Sequence, residues 1–114
     1  MANKRKRNKR KLEVFKKRTQ GEGKGHPAFI YEKVGDEYKY IGLTTSEKIK
    51  FKNGVEIITI KLINNPDPNS NDTSYIMPYS EQRPTTHFGR KLANWKFSSK
   101  DNETIENIKK QKKP

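Results

Sequence analysis

The positive charge of this chain of 114 residues lies at its two ends, and most of its apolar residues lie between them. Residues 1–25 hold 11 Lys or Arg and 2 Glu, and residues 109–114 hold four Lys and no acid. The 83 residues in between hold 11 basic and 11 acidic residues, so the ends alone supply the net charge of +13. Residues 26–98 contain 26 of the 33 apolar residues. This distribution predicts one small folded body with cationic ends.

Composition excludes several classes of protein. The absence of cysteine excludes disulfides, thiolate metal sites and a cysteine nucleophile. The apolar runs are far shorter than the roughly 18 residues of a membrane span, and no apolar stretch follows the basic N-terminus as in a secretory signal. We therefore expect a cytoplasmic protein that uses no metal or cofactor. The abundance of Lys, Asn and Ile is typical of an AT-rich bacterial or phage source.

Residues 3–18 form the most basic segment, with ten cations among sixteen residues. Like charges at this density repel, so residues 1–25 are predicted to be a flexible arm that ends in a glycine hinge at 19–25. Deletion of residues 1–20 should then leave the body folded. A solubilising tail is one interpretation, and an arm that binds a polyanion is the favoured one. Its nucleic-acid-binding residues would be Lys4, Arg5, Lys6, Arg7, Lys9, Arg10, Lys11, Lys16, Lys17 and Arg18.

The body, residues 26–98, is predicted to be mainly β. Two hairpins are expected, and Asn53-Gly54 is the turn signal of the second. A fifth strand is expected at 75–79, a loop at 80–87 and one or two helical turns at 88–97. The predicted strands of the hairpins are 28–33 and 38–44, then 48–52 and 55–62.

Residues 99–114 are predicted to form a C-terminal helix of roughly ten residues with a basic tail, because Ser98 and Asp101 resemble a capping box. Five short antiparallel strands cannot bury both faces of a flat sheet. The expected fold is therefore a small, partly open antiparallel barrel with a C-terminal helix. An SH3-like barrel is the first choice and an OB-like barrel is the alternative.

The segment YIGLTTSEK, residues 40–48, places hydroxyl groups and an ammonium group at the end of an apolar strand. Thr45, Ser46 and Lys48 are suited to hydrogen-bond and neutralise a phosphodiester. The same groups can stabilise the charge that builds on a pentavalent phosphorane. An ordinary polar turn is the alternative interpretation.

Residues 26–48 (HPAFIYEKVGDEYKYIGLTTSEK), together with the later TSYIMPY, resemble type III toxin–antitoxin endoribonucleases, relatives of the PemK/MazF toxins. The likeness covers about 30 of the 114 residues and rests on Leu43, Thr45, Ser46 and Lys48. It implies an SH3-like barrel, metal-independent cleavage of single-stranded RNA, and an antitoxin RNA or protein as partner.

In such a ribonuclease the RNA 2′-hydroxyl attacks its own phosphate, which requires positioning, charge stabilisation and modest proton transfer. Thr45, Ser46 and Lys48 would bind the phosphate. His26 would be a general acid or base, or a surface histidine before a proline. His87, with Arg83 and Arg90 nearby, would form a second phosphate clamp or be solvated.

Three functions remain open from the sequence. The first is the endoribonuclease, and the second is a nucleic-acid-binding protein without catalysis. The third is a phage-encoded inhibitor or adaptor that docks on a protein–RNA complex.

Overall fold

The structure, a computed structural model, describes residues 9–21, 23–47, 49–52 and 54–113. Within these ranges the chain forms nine strands and one helix. The elements, in chain order, are β1 (Lys9–Arg18), β2 (Pro27–Val34), β3 (Glu37–Thr44), β4 (Ile49–Lys52), β5 (Val55–Ile58), β6 (Ile60–Lys61), β7 (Tyr75–Ile76), β8 (Glu81–Pro84), β9 (Phe88–Lys91) and α1 (Ser99–Ile108).

The three long strands β1, β2 and β3 form an antiparallel meander, and further strands extend it on both sides. β9 pairs with β1, β8 and β7 pair with successive parts of β3, and β4 and β5 form a separate hairpin. One turn of 3-10 helix, Thr85–His87, connects β8 to β9. The predicted mainly β fold, a partly open antiparallel barrel with a C-terminal helix, is confirmed.

The middle of the meander carries buried side chains on both faces, because successive side chains of a strand point to opposite sides. On one side, which we call the helix face, Phe15, Phe29 and Ile41 pack with α1 through Ile105 and Ile108. The opposite side, the barrel face, carries a smaller buried cluster of Ala28, Ile30, Tyr40 and Phe88. Each face therefore has its own apolar core.

The prediction of a flexible arm over residues 1–25 is wrong for Lys9–Arg18, which form β1 between β2 and β9. Phe15 of β1 is 3% exposed and its ring lies 5.1 Å from that of Phe29. The strand forms because backbone pairing on two sides and burial of Phe15 outweigh the repulsion between lysines, several of which remain exposed. Residues 1–8 of the predicted arm lie outside the described residues.

The predicted glycine hinge is an ordered connection. Lys24 N donates to Gly21 O at 3.2 Å, Gly25 N to Arg18 O at 2.8 Å and His26 N to Gly23 O at 3.0 Å. Gly21, Gly23 and Gly25 all have positive φ, which other residues adopt only with strain. The glycines therefore fix a particular tight path here.

Later elements also differ from the sequence prediction. The predicted helical turns at 88–97 are strand β9 followed by irregular chain, because Phe88–Lys91 pair with the edge of β1. The predicted loop at 80–87 contains β8 and the 3-10 turn. The predicted strand at 75–79 ends at Ile76, two residues before Pro78, and 55–62 divides into β5 and β6.

The first hairpin and the C-terminal helix are where the sequence predicts them. β2 and β3 flank the turn at 35–36, and Ser98 Oγ accepts a hydrogen bond from Asp101 N at 3.2 Å to begin α1. In the second hairpin, Gly54 has the expected positive φ of 79°, and Asn53 lies outside the described residues. No helix within the described ranges is long and apolar enough to cross a membrane.

Candidate nucleic-acid interface

Four residues from neighbouring strands lie side by side in one row across the barrel face. Arg10 of β1 pairs with Lys33 of β2, Lys33 pairs with Tyr38 of β3, and Tyr38 pairs with Arg83 of β8. Directly paired residues of an antiparallel sheet point to the same face, at strand spacings of about 4.8 Å. We call Arg10, Lys33, Tyr38 and Arg83 the basic row. Lys33 and Arg83 thus flank the Tyr38 ring, and Arg10 lies on the far side of Lys33.

A fourth cation approaches the same ring from above. Lys16 Nζ lies 5.5 Å from the centroid of the Tyr38 ring, a cation–π geometry. The ring also meets Phe88 edge to face at 5.3 Å. Tyr38, Lys16, Lys33 and Arg83 are partly exposed, and Arg10 is exposed. The row is therefore accessible to a ligand from solvent.

The basic row continues into a shallow groove at the β2–β3 turn. The groove is lined by Lys9, Arg10, Lys33, Gly35 and Asp36. Three of its five lining residues are cations, so a negatively charged chain that lies on the row can extend into it.

Arg83 shares a neighbouring carboxylate, that of Glu81, with a second cation. Its Nη2 is 3.5 Å from Glu81 Oε1, and the same oxygen receives Lys113 Nζ at 3.0 Å. The single negative charge of Glu81 is therefore shared between two cations and neutralises only one of them. A hydrogen bond to Tyr40 is the first cause that raises the pKa of Arg83 above its ordinary value, so this guanidinium is permanently charged.

A buried arginine, Arg18, contacts Tyr40, which lies two residues from Tyr38 in β3. Arg18, 8% exposed, donates from Nη1 to Tyr40 Oη at 3.3 Å, and its guanidinium carbon lies 5.3 Å from the centre of that ring. The pKa of the Tyr40 phenol is raised, first by burial and second by the nearby Glu81. Tyr40 is therefore neutral at physiological pH and does not cancel the charge of Arg18 or Arg83.

Three of the four predicted catalytic residues, His26, Thr45 and Ser46, lie at one edge of the meander, where β1 and β3 end and β2 begins. Arg18 N donates to His26 O at 3.0 Å, and Thr44 closes β3 at the same edge because Ala28 pairs with Gly42. Thr45 and Ser46 follow there and are exposed, and Ser46 N donates to Thr44 Oγ1 at 3.3 Å. Lys48 lies outside the described residues.

His87, the last residue of the 3-10 turn before β9, lies at this edge, because Arg18 pairs with Phe88 and Thr19 N donates to His87 O at 2.8 Å. Its Nδ1 is buried and has no hydrogen-bond partner among the described residues. A Cβ built on Gly21 would lie 3.8 Å from this nitrogen and 3.7 Å from Arg83 Nη1. The side chains of Arg83 and His87 therefore both lie next to Gly21, and the phosphate clamp expected from the sequence stays a prediction.

The remaining predicted cations are spread over the surface. Lys9, Lys11 and Lys17 of β1 and Arg90 of β9 are exposed, and Arg90 does not join Arg83 in the row. Lys4, Arg5, Lys6 and Arg7 lie outside the described residues. The described ranges contain no group of three or more His, Cys, Asp or Glu placed to hold a metal ion.

Lys33 and Tyr38 of the basic row were not among the candidate binding residues predicted from the sequence. Both lie in strands that the sequence predicts, directly opposite each other beside the β2–β3 turn. Counting residue pairs outward from that turn would have revealed their contact. Arg83 could not be added in this way, because its strand was predicted to be a loop.

Comparison of two glycine variants tests whether the position of the buried Arg18 contributes to stability. A Cβ on Gly23 would overlap the guanidinium of Arg18, whereas nothing lies within 4 Å of a Cβ on Gly25, and both glycines have positive φ. Gly23→Ala is expected to lower the free energy of unfolding by about 2 kcal/mol more than Gly25→Ala, because only Gly23→Ala displaces Arg18. Urea unfolding measures the difference. Equal losses of unfolding free energy in the two variants would show that Arg18 moves aside without a loss of stability.

The chain matches no protein-family model, and searches of curated proteins and of solved structures find no significant similarity.

Proposed function

We propose that this protein binds RNA, with the cations of the basic row contacting backbone phosphates. The observation that carries the proposal is the row itself, in which the register of four strands places Arg10, Lys33 and Arg83 on one accessible face. Lys16 adds a fourth positive charge above the row. An RNA ligand is consistent with the cytoplasmic location expected from the sequence.

Electrostatics favours a polyanion over a small anion or a protein patch. A row of cations at strand spacing contacts several charges in succession, and each neutralised phosphate releases counterions. The chain as a whole carries a net charge of +13, which attracts a polyanion to the surface before contact. The protein thus combines long-range attraction of a polyanion with a row of cations that contact its phosphates.

The test measures affinity for a fluorescein-labelled oligoribonucleotide by anisotropy. Lys33→Gln and Arg83→Gln should each weaken binding by about tenfold, the worth of a hydrogen bond between charged groups. Lys100→Gln is the matched control, because Lys100 is exposed on α1, on the other side of the sheet. Equal affinity of all four proteins, or an affinity that Lys100→Gln lowers equally, would refute the proposal.

Metal-independent RNA cleavage is the second candidate function. It is favoured by the positions of His26, Thr45, Ser46 and His87 at the same edge of the meander. In this reaction the 2′-oxygen forms a bond to phosphorus, the bond from phosphorus to the 5′-oxygen breaks, and the proton of the 2′-hydroxyl passes to a base such as His26. The 5′-oxygen leaves with a proton from an acid, the role proposed for His87.

Incubation of RNA with the purified protein in EDTA tests this candidate. Cleavage to a 2′,3′-cyclic phosphate, lost in Ser46→Ala and in His26→Ala with unchanged melting temperatures, would support it. Intact RNA with the wild type would leave the non-catalytic RNA-binding function. Co-purification of one protein in stoichiometric amount would instead support the role of inhibitor or adaptor.

A further inference from the structure

We propose that Tyr38 is the stacking site for an unpaired nucleobase, which makes the basic row selective for single-stranded RNA. This inference rests on the proposed RNA binding and adds the part of the RNA that is recognised. The chemical class of the ligand is a planar base joined to a phosphodiester backbone.

The position of Tyr38 distinguishes it from the other tyrosines of the meander. Tyr40 is completely buried, and the Tyr31 hydroxyl donates to Ser80 Oγ at 2.8 Å on the side of the sheet that contacts α1. Tyr38 is partly exposed and lies between Lys33 and Arg83. A base on this ring would have a cation on each side to hold its neighbouring phosphates.

The contacts of the Tyr38 ring allow a base to take the place that Lys16 now occupies. Lys16 lies over the ring at 5.5 Å, and its own side chain is partly exposed. Stacking of a base on an aromatic ring is stronger than an exposed cation–π contact. The ammonium group of Lys16 can then move a short distance to a phosphate. The base would in this way replace Lys16 on one face of the Tyr38 ring, and the positive charge of Lys16 would remain beside the RNA.

Stacking on Tyr38 gives selectivity between single and double strands. In a duplex, bases stack on each other and present only their edges, so a ring on the protein surface cannot reach a base face. An unpaired base has no such restriction. Phosphate contacts alone would bind both forms.

The experiment compares three probes of equal length: single-stranded oligouridine, the same backbone with abasic residues, and an RNA duplex. Wild type should bind oligouridine at least about tenfold more tightly than the abasic backbone. Tyr38→Leu should lose this difference and keep its affinity for the abasic backbone, and Tyr38→Trp should retain the difference. Tyr75→Leu, a tyrosine in the short strand β7, is the control and should behave as wild type.

The outcomes separate the two proposals. Equal wild-type affinity for oligouridine and the abasic backbone would overturn the stacking site and leave phosphate binding intact. A preference for oligouridine that Tyr38→Leu preserves would also overturn the assignment to Tyr38. Binding of none of the three probes would refute the proposed RNA binding itself. The first and the last of these results are decided by the wild-type protein alone, so they do not depend on whether a variant folds.

Discussion

A chain that lacks residues 1–20 is expected to be unfolded, whereas a chain that lacks residues 1–8 is expected to retain its fold. The longer deletion removes β1, which pairs with β2 on one side and β9 on the other. It also removes Phe15, whose ring lies 5.1 Å from Phe29, 5.6 Å from Trp95 and 5.0 Å from Phe97. Loss of such a side chain alone costs about 3–5 kcal/mol, much of the stability of a small domain.

Circular dichroism and thermal melting of the two truncated chains measure this effect. The chain without residues 1–8 retains all of β1 and controls for the loss of N-terminal charge. A cooperative melting transition in the chain without residues 1–20 would show that the basic segment is dispensable for folding, as a flexible arm would be.

Asp101→Ala is expected to lower the free energy of unfolding by about 2–3 kcal/mol. Asp101 is 2% exposed, and its carboxylate accepts hydrogen bonds from Ile63 N at 2.9 Å and Asn64 N at 3.0 Å. The alanine variant leaves two backbone donors without this acceptor, and each lost bond to a charged group costs about 1–3 kcal/mol. Denaturant unfolding measures the change.

Asn102→Ala is the matched control for Asp101, because Asn102 is an exposed neighbour in α1. Asp101→Asn, which keeps one good acceptor oxygen, should fall between the alanine variant and the wild type. An alanine variant as stable as the control would mean that water replaces the carboxylate at residues 63 and 64.

Local patterns were enough to predict the first hairpin and the C-terminal helix. The two strands flank Gly35-Asp36, and Ser98 accepts the hydrogen bond that begins α1. Asp101 was expected to act within its own helix, but its carboxylate binds the backbone of residues 63 and 64. A contact between residues so far apart in the chain depends on tertiary packing and cannot be predicted from the residues around Asp101 in the sequence.

The main error concerned the basic segment, and its cause is general. Charge density predicts an extended chain, and β1 is extended, but composition cannot say whether that chain has hydrogen-bonded neighbours. The signal was Phe15, the one aromatic residue of the segment. The basic row depends on the same pairing, so its position could not be predicted while β1 was taken as an arm.

The salt dependence of oligoribonucleotide binding tests the central claim, that cations of the basic row contact phosphates. For a single strand, the logarithm of the affinity falls linearly with the logarithm of salt concentration, with a slope that changes by about 0.7 for each phosphate contact. Lys33→Gln should therefore flatten the wild-type slope by about 0.7, and Lys100→Gln should leave it unchanged. Parallel lines for wild type and Lys33→Gln would contradict the claim.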